Sequence, residues 1–286
     1  MISVSGRDGV RRRIPNLVKW AGGKNNLVET LMSYVPQEFA TYYEPFFGGG
    51  SLYWNLKLRG RIEDAVISDI NPDLINLLQV VQLKPDDLIL EISNFKHLSG
   101  VENFYRIRSE FNSYVGRKNR SVELAAMFIY LNRNGYNGLW RTNKKGEYNV
   151  PYGFYDSFHL PLHSEILLFS ELLEHTTIRC CDYIESIKYC NTGDLVYFDP
   201  PYIKEKTSNF TQYAKEEFNF EDHRKLAKRF RYLTDLGILT MTTNRKSDEV
   251  QSLYQGYPFV IFENRWSINR NSSDRNGKKE LLITNF

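Results

Sequence analysis

The sequence predicts an α/β fold in which a mostly parallel sheet of the nucleotide-binding type is interrupted by a helical insertion. Three observations predict it. Strand-like and helix-like patterns alternate in the first third of the chain, and the alternation resumes in the last third. Between them, residues 72–161 show helical periodicity and then a stretch rich in Asn, Gly, Arg and Tyr. We therefore expect one domain from residues 1–71 and 162–286, with 72–161 inserted as a second domain.

The first third predicts a β-α-β unit. Tyr42–Glu44 predicts a strand that leads into a glycine turn at residues 48–50, and Ser51–Leu58 then reads as a helix. Ala65–Asp69 predicts the second strand, with residues 72–81 helical after it. A glycine turn between a first strand and its helix is typical of units that bind nucleotides.

The middle of the chain predicts helices and then a stretch of different composition. Apolar residues recur at helical spacing in four windows, which are residues 74–83, 87–95, 103–114 and 123–131. Residues 132–155 lack this periodicity and are crowded with Asn, Gly, Arg and Tyr.

The last third predicts strands again, with a helix among them. The expected strands are Ile178–Asp182, Leu195–Phe198 and Ile238–Thr243, and the expected helix is Asp222–Leu233. Pro258–Trp266 and Glu280–Thr284 predict a closing antiparallel pair.

Composition excludes several classes of protein. The 286 residues include 42% hydrophobic ones, which is ordinary globular composition. The first twenty residues carry five basic side chains, and the longest apolar run, Leu124–Leu131, is too short to cross a bilayer. The three cysteines are odd in number and lack metal-ligand spacing. We expect a reduced cytoplasmic protein without a membrane segment or a metal.

Basic residues are concentrated in three windows although the net charge is only +3. Residues 1–24 contain six Lys or Arg against one acid, residues 117–145 seven against one, and residues 265–279 five against one. A charge run is usually a solvated face. Three such windows on an otherwise acidic body instead indicate a surface that follows a polyanion.

The most informative motif is Asp199-Pro200-Pro201-Tyr202, which directly follows the strand predicted at Leu195–Phe198. Each proline fixes its own φ and restricts the residue before it, so the strand must end there. The carbonyls of Asp199 and Pro200 can then point outward beside a carboxylate and the Tyr202 ring. Such a pocket suits a planar base with an exocyclic NH2 group, although two prolines after a strand also occur in ordinary turns.

The glycine turn and Asp69 indicate a nucleoside site. Glycines at 48–50 let the backbone approach a ligand, and an acid at the end of the second strand can bind ribose hydroxyls. Because no pyrophosphate-binding pattern is present, S-adenosylmethionine fits better than a dinucleotide. The alternative for Asp69 is the N-cap of the helix that begins near Pro72.

Lys19–Lys24, with sequence KWAGGK, is a further glycine-containing loop. It lacks the phosphate-loop pattern, since Asn25 follows the lysine. Trp20 and Lys24 could close over a methionine moiety, or the segment could be a plain loop before a helix.

Together these motifs resemble the Dam-type DNA adenine-N6 methyltransferases, in the D12-like arrangement of the α class. The resemblance covers nearly the whole chain and includes Glu44–Ser51 and the stretch Leu131–Arg141 that continues to Gly146–Gly153. This last stretch resembles the subgroup that methylates adenine in GATC. The implied fold is the Rossmann-like methyltransferase sheet, with 72–161 as the DNA target-recognition domain and 132–155 as its target-reading hairpin.

The resemblance also implies roles for individual residues. Asp199, Pro200, Pro201 and Tyr202 would be catalytic, and S-adenosyl-L-methionine would bind at Trp20, Lys24, Gly48, Gly50, Asp69, Asp182 and Asp199. Asp182 could equally be a helix cap. Double-stranded DNA would be contacted by Lys19, Tyr136, Asn137, Leu139, Arg141 and Pro151. In this arrangement Arg141 pairs with guanine and Tyr136 wedges beside an extruded adenine. Phe154 departs from relatives, which often carry a basic residue there.

The resemblance leaves alternatives open. A DNA-binding module on an inactive methyltransferase fold would have the same outline, but the intact Asp-Pro-Pro-Tyr motif argues against it. Similar pockets serve RNA base methyltransferases, although side chains cannot enter the major groove of A-form RNA. We expect the protein to be a monomer. Both a solitary methyltransferase and one that accompanies a restriction enzyme fit the sequence.

Overall fold

The computed structural model describes residues 14–116, 121–155, 160–202, 218–264 and 278–286. In these ranges the fold is mixed α/β with a seven-stranded sheet in the order β3-β2-β1-β4-β5-β7-β6. The strands are β1 (Tyr42–Glu44), β2 (Ala65–Asp69), β3 (Thr176–Cys180), β4 (Leu195–Phe198), β5 (Leu239–Arg245), β6 (Phe259–Asn264) and β7 (Lys278–Thr284).

The strand pairing confirms the predicted α/β class. β1 lies between β2 and β4 and is parallel to both, with Tyr42 level with Ala65 and with Leu195. β4 is in turn parallel to β5. β7 is antiparallel to β5 and to β6, as the predicted closing pair requires.

The helices include those that the sequence predicts and several that it does not. In chain order they are α1 (Val28–Tyr34), α2 (Ser51–Leu58), α3 (Pro72–Leu83), α4 (Pro85–Ser93), α5 (Val101–Asn112), α6 (Val122–Asn134), α7 (His163–Leu172), α8 (Tyr183–Ser186), α9 (Phe220–Asp235) and α10 (Asp248–Leu253). A 3₁₀ turn occupies Tyr136–Gly138. Helices α1, α7, α8 and α10 were not predicted.

The chain divides into two compact units. The first contains Met1–Asn25, Gly48–Glu63 and Asp69–Cys180, and the second contains Asn26–Phe47, Asp64–Ser68 and Cys181–Phe286. The predicted insertion, residues 72–161, lies wholly within the first unit. Its assignment as a separate target-recognition domain stays a prediction.

Helix α6 is the centre of the first unit. It packs against α3, α4 and α5, and every residue from 125 to 132 is buried. A helix that is apolar on all sides is a core helix, which explains the uninterrupted apolar run in the sequence. Ser121 caps this helix by accepting a hydrogen bond from the Leu124 N–H.

The second unit has its core between strands and helix α9. Leu226 and Leu233 of α9 pack in one buried cluster with Val196 and Phe198 of β4. Because all four residues of β4 are buried, the chain that leaves this strand is held by a rigid support.

No helix in the described part of the chain is long and apolar enough to span a bilayer.

Candidate active site

The Asp-Pro-Pro-Tyr corner begins where β4 ends, in the second unit. The β4–β5 register places Phe198 level with Thr242, so Asp199 follows level with Thr243. Thr243 Oγ1 donates a hydrogen bond of 2.7 Å to Asp199 Oδ1. The Tyr197 hydroxyl lies 3.0 Å from the same Thr243 oxygen. Since Thr243 has one hydroxyl hydrogen and gives it to the carboxylate, Tyr197 is the donor in this pair.

Buried tyrosines keep this network protonated. Burial, and then the charge of Asp199, raise the pKa of Tyr197 well above its ordinary value. At neutral pH the chain of bonds therefore runs from Tyr197 to Thr243 to Asp199. It holds the carboxylate in one orientation at the end of the strand.

Tyr202 is anchored at its hydroxyl. That hydroxyl donates a hydrogen bond of 2.7 Å to Glu280 Oε2 of β7. Burial raises the pKa of Tyr202 above its ordinary value, with Asp199 and Glu280 adding to the shift. Because the phenol stays protonated, the anchor persists at neutral pH and fixes the direction of the ring.

The Pro201 carbonyl is held by a buried histidine. His223 Nε2 of α9 lies 3.1 Å from the Pro201 oxygen, and His223 Nδ1 lies 3.1 Å from Asn244 Nδ2 of β5. Three residues of the corner, Asp199, Pro201 and Tyr202, therefore each have a partner on β5, α9 or β7.

Three partners of the corner were not among the predicted site residues: Thr243, His223 and Glu280. Thr243 ends a predicted strand and Glu280 opens another, but nothing local shows that either one contacts the corner. Their contacts depend on the register of β5 against β4 and β7, since Glu280 pairs with Arg245 of β5. An acid directly before an apolar run that predicts a strand is the one sequence signal that could have drawn attention to Glu280.

The glycine turn lies in the first unit and is fixed by Asp69. Asp69 Oδ2 accepts a hydrogen bond of 2.9 Å from the Gly48 N–H, and its Oδ1 accepts one of 2.9 Å from the Asn71 N–H. Burial raises the pKa of Asp69, and these backbone bonds oppose the shift. The expectation that Asp69 could cap the next helix is wrong, because Asn71 is the N-cap of α3.

Trp20 packs directly on the glycine turn. A Cβ atom at Gly48 would stand 2.8 Å from Cδ1 and Nε1 of the indole, and one at Gly49 would stand 3.2 Å from Trp20 Cβ. Gly48 and Gly50 both have positive φ, at 48° and 63°. The turn thus requires glycine for two reasons, its backbone conformation and the close approach of the indole.

Lys24 is buried beside this turn. Its Nζ donates to the Gly22 carbonyl at 3.0 Å, and its N–H donates to Ser51 Oγ at 3.2 Å. The first unit therefore contains five of the residues that the resemblance assigns to one ligand site, which are Trp20, Lys24, Gly48, Gly50 and Asp69. Their role in binding a ligand stays a prediction.

Asp182 stands at the start of a helix in the second unit. The strand β3 ends at Cys180, so the expectation that Asp182 ends this strand is wrong by two residues. Asp182 Oδ1 accepts hydrogen bonds from the Ile184 and Glu185 N–H groups and caps α8. The cap that the sequence left open is thus present, and a ligand role for Asp182 stays a prediction.

Lys19 is tied to the turn at Tyr136–Gly138 by Asn132. Asn132 Oδ1 accepts from the Lys19 N–H at 2.8 Å, and its Nδ2 donates to the Lys19 carbonyl at 2.8 Å and to the Gly138 carbonyl at 3.1 Å. The Lys19 ammonium lies 4.2 Å from the centre of the Tyr155 ring. Burial, and then the Arg133 charge, lower the pKa of Lys19.

Residues 135–152 leave α6, turn back and form an antiparallel excursion. Bridges join Gly135 to Tyr152 and Thr142 to Tyr148. Buried aromatic rings support it, with the Trp140 centroid 3.8 Å from that of Phe128 and 4.4 Å from that of Tyr148. The predicted hairpin is therefore present and is supported by the core of the first unit.

Most of the predicted DNA contacts are exposed on this excursion. Tyr136, Asn137, Arg141 and Pro151 are exposed, and Leu139 is half-buried. Arg141 Nε donates to Asn149 Oδ1 at 2.7 Å, which orients the guanidinium. Phe154 is 74% exposed and has a positive φ of 52°.

No group of three or more His, Cys, Asp or Glu side chains in the described ranges is arranged to hold a metal ion. The titratable groups near the corner instead bond to hydroxyls, amides and backbone atoms.

The sequence matches one family and its named relatives over most of its length. Residues 20–269 match the D12 class N6 adenine-specific DNA methyltransferases. The chain is 34% identical over 271 residues to the Type II methyltransferase M1.LlaDCHI of Lactococcus lactis subsp. cremoris, covering 94% of each chain. It is 36% identical over 288 residues to the Type II methyltransferase M.MjaIII of Methanocaldococcus jannaschii, covering 94% of this chain and 98% of the relative. It is 32% identical over 268 residues to the DNA adenine methylase of Escherichia coli strain K12, covering 93% of each.

Proposed function

Since the chain belongs to the D12 class N6 adenine-specific DNA methyltransferase family, we propose that it methylates adenine N6 in duplex 5′-GATC-3′ after flipping the base. Adenine-specific DNA methylation is the activity of the family. The GATC site, the flipped base and the residue roles are the proposed part. The observation that carries the proposal is the Asp199 carboxylate, which Thr243 fixes at the end of β4.

The chemistry needs acceptors at the adenine amino group. This nitrogen is a poor nucleophile because its lone pair is conjugated into the ring. The Asp199 carboxylate and the Pro200 carbonyl would accept its two hydrogens and direct the lone pair out of the ring plane. The nitrogen lone pair would then attack the donor's methyl group as its bond to sulfur breaks, and N6 would lose one proton to solvent. Positioning and electrostatics supply the rate.

Tyr202 would stack on the flipped adenine. Extruding a base costs a few kcal/mol of stacking and pairing, and an aromatic ring in the pocket offsets part of this cost. The hydrogen bond from the Tyr202 hydroxyl to Glu280 supports this role, because it holds the ring in one direction.

The residues around the glycine turn are suited to binding S-adenosyl-L-methionine. When bound, this cofactor supplies an electrophilic methyl group on a sulfonium. The indole of Trp20, the buried Lys24 and the Asp69 carboxylate suit a nucleoside joined to an amino acid, and no phosphate loop is present. We assign donor binding to these three residues with Gly48, Gly50, Asp182 and Asp199. No metal is expected in this reaction.

Residues 72–161 are proposed to read the DNA. Arg141 would pair with guanine O6 and N7 in the major groove, and Tyr136 would wedge into the duplex beside the extruded adenine. Asn137, Leu139 and Pro151 would line the contact, and Lys19 would reach a second guanine. The exposure of Tyr136 and Arg141 on a supported hairpin favours this assignment.

One experiment tests the proposal as a whole. The purified chain, which we expect to act as a monomer, is incubated with methyl-labelled S-adenosyl-L-methionine and duplexes that carry GATC or its scrambled counterpart GTAC. We expect label in N6-methyladenine of the GATC duplex alone. Equal labelling of both duplexes contradicts the site, and labelling of structured RNA in preference to DNA contradicts the substrate.

A further inference from the structure

His223 is a fully buried titratable residue whose two ring nitrogens both have partners in the second unit. Its Nε2 lies 3.1 Å from the Pro201 carbonyl oxygen, and its Nδ1 lies 3.1 Å from Asn244 Nδ2. The Phe218 ring meets the imidazole edge to face, with centroids 4.8 Å apart. The imidazole thus links α9 and β5 to the diproline corner.

The hydrogen bonds define one tautomer. A carbonyl oxygen only accepts, so His223 Nε2 must carry a hydrogen and donate it to Pro201. Asn244 Oδ1 accepts the Arg245 N–H at 2.9 Å, which turns the Asn244 amide nitrogen toward the imidazole. Asn244 then donates to Nδ1, so the ring is neutral. Burial lowers the pKa of His223, while the bond to Pro201 and the neighbouring Asp222 oppose that shift.

The bond to Pro201 sets the geometry of the corner. Each proline ring fixes φ, so ψ is the soft rotation left to Pro200 and to Pro201. Holding the Pro201 carbonyl fixes ψ of Pro201 and with it the direction in which Tyr202 leaves. It also fixes the Pro201 ring, which shares a peptide plane with the Pro200 carbonyl.

We infer that His223 is a positioning residue for methyl transfer: its neutral imidazole donates to the Pro201 carbonyl and so aligns the Pro200 carbonyl and the Tyr202 ring with the target adenine. It does not touch the reacting atoms. This inference rests on the proposed function of the corner. His223 on α9 and its partner Asn244 on β5 would thus affect the rate of methyl transfer without affecting the binding of DNA or of the donor.

Two polar variants separate positioning from folding. In His223→Gln the amide nitrogen can reach the Pro201 carbonyl, and the amide oxygen can accept from Asn244. In His223→Asn the shorter side chain ends near the position of Nδ1, so it keeps the Asn244 partner and loses Pro201. His97→Gln, at an exposed histidine, is the control for the substitution itself.

The measurement is the single-turnover rate of methyl transfer to a GATC duplex with saturating S-adenosyl-L-methionine, next to the dissociation constants for both. We expect His223→Asn to slow transfer about 10- to 100-fold, since small misplacements of reacting groups have effects of this size. Both dissociation constants should stay within about twofold, and His223→Gln should recover most of the rate.

Three results overturn the inference. One is a wild-type rate in His223→Asn. Another is an equal loss of rate in the Asn and Gln variants. The third is a loss of rate that only follows a loss of donor binding. Absence of transfer by the wild-type chain is a different result, because it contradicts the proposed function itself.

Discussion

The Thr243 hydroxyl donates a hydrogen bond of 2.7 Å to Asp199 Oδ1, across two neighbouring parallel strands. The residues are 44 positions apart in the chain, and the β4–β5 register brings them level. Tyr197 donates to the same hydroxyl. The orientation of the Asp199 carboxylate is thus set by the sheet and not by the corner alone.

Replacing Thr243 by Val should slow catalysis more than it weakens binding. Val has nearly the same volume but leaves Asp199 Oδ1 and the Tyr197 hydroxyl without this partner. We expect the single-turnover rate to fall about 100-fold, since a small misplacement of a reacting group has an effect of this size. Thr243→Ser keeps the hydroxyl and is the matched control. Equal rates for the Val and Ser variants contradict a role for this bond.

Gly48→Ala should destabilise the fold because two effects combine there. The new Cβ would meet the Trp20 indole at 2.8 Å, and φ is 48°. Left-handed backbone costs an alanine about 1–2 kcal/mol and overpacking about 1–3 kcal/mol, so the free energy of unfolding in urea should fall by at least about 2 kcal/mol.

Gly22→Ala is the control for this prediction. Gly22 also has positive φ, at 82°, but a Cβ there meets no atom within 4 Å. It should lose only the conformational contribution. If the two variants lose the same stability, contact with Trp20 is not what excludes a larger side chain at residue 48.

Arg141 should discriminate guanine through N7. Replacing the contacted guanine by 7-deazaguanine removes that acceptor, so kcat/KM of the wild type should fall by a factor that corresponds to about 1–3 kcal/mol. The Arg141→Ala variant should methylate both duplexes slowly, and its kcat/KM should change little when guanine is replaced by 7-deazaguanine. Lys144→Ala, at an exposed lysine on the same hairpin, should stay sensitive to it. If Arg141→Ala also stays sensitive, Arg141 contacts the phosphate backbone instead.

His223 should make the fold less stable in mild acid. Burial holds its pKa below the ordinary value of 6.5, so the unfolded chain binds a proton more readily than the folded one. The contribution of His223 is fully present above pH about 6.5 and is lost as the pH falls toward the lower folded pKa. Asp222, the charged neighbour on α9, opposes the shift without reversing it.

Urea unfolding at pH 7.5 and 5.5 measures this effect. His223→Gln should lose less stability between the two pH values than the wild type. The losses of the wild type and of His223→Gln should differ by at most about 1.4 kcal/mol for each pKa unit by which folding lowers the pKa of His223. His97→Gln, at an exposed histidine, is the control for the substitution itself. An unchanged pH dependence in His223→Gln contradicts a depressed pKa.

Local patterns were sufficient to predict most of the strands. Leu195–Phe198 is a short run of apolar and aromatic residues, and all four of them are buried. Strands of a parallel sheet are covered on both faces, so such a continuous run predicts them directly. The Asp-Pro-Pro-Tyr motif was conspicuous because two prolines permit few backbone conformations. The hairpin at 132–155 was implied by the family resemblance and not by its composition.

The contacts that orient the corner could not be predicted from the sequence. Glu280 is 78 positions from Tyr202, and His223 is 22 positions from Pro201, so each contact depends on strand register or helix packing. Asp69 and Asn71 both stand before Pro72 and both have capping side chains. Only the backbone geometry shows that Asn71 caps α3 and that Asp69 binds the Gly48 N–H.

The most direct test of the central claim compares the wild type with Asp199→Ala on a GATC duplex. We expect N6-methyladenine from the wild type and none above background from Asp199→Ala. The dissociation constant for the duplex should change by less than about threefold, since in the proposed complex Asp199 would contact one base while phosphate contacts dominate the affinity. Methyl transfer by Asp199→Ala at the wild-type rate would contradict the proposed role of Asp199.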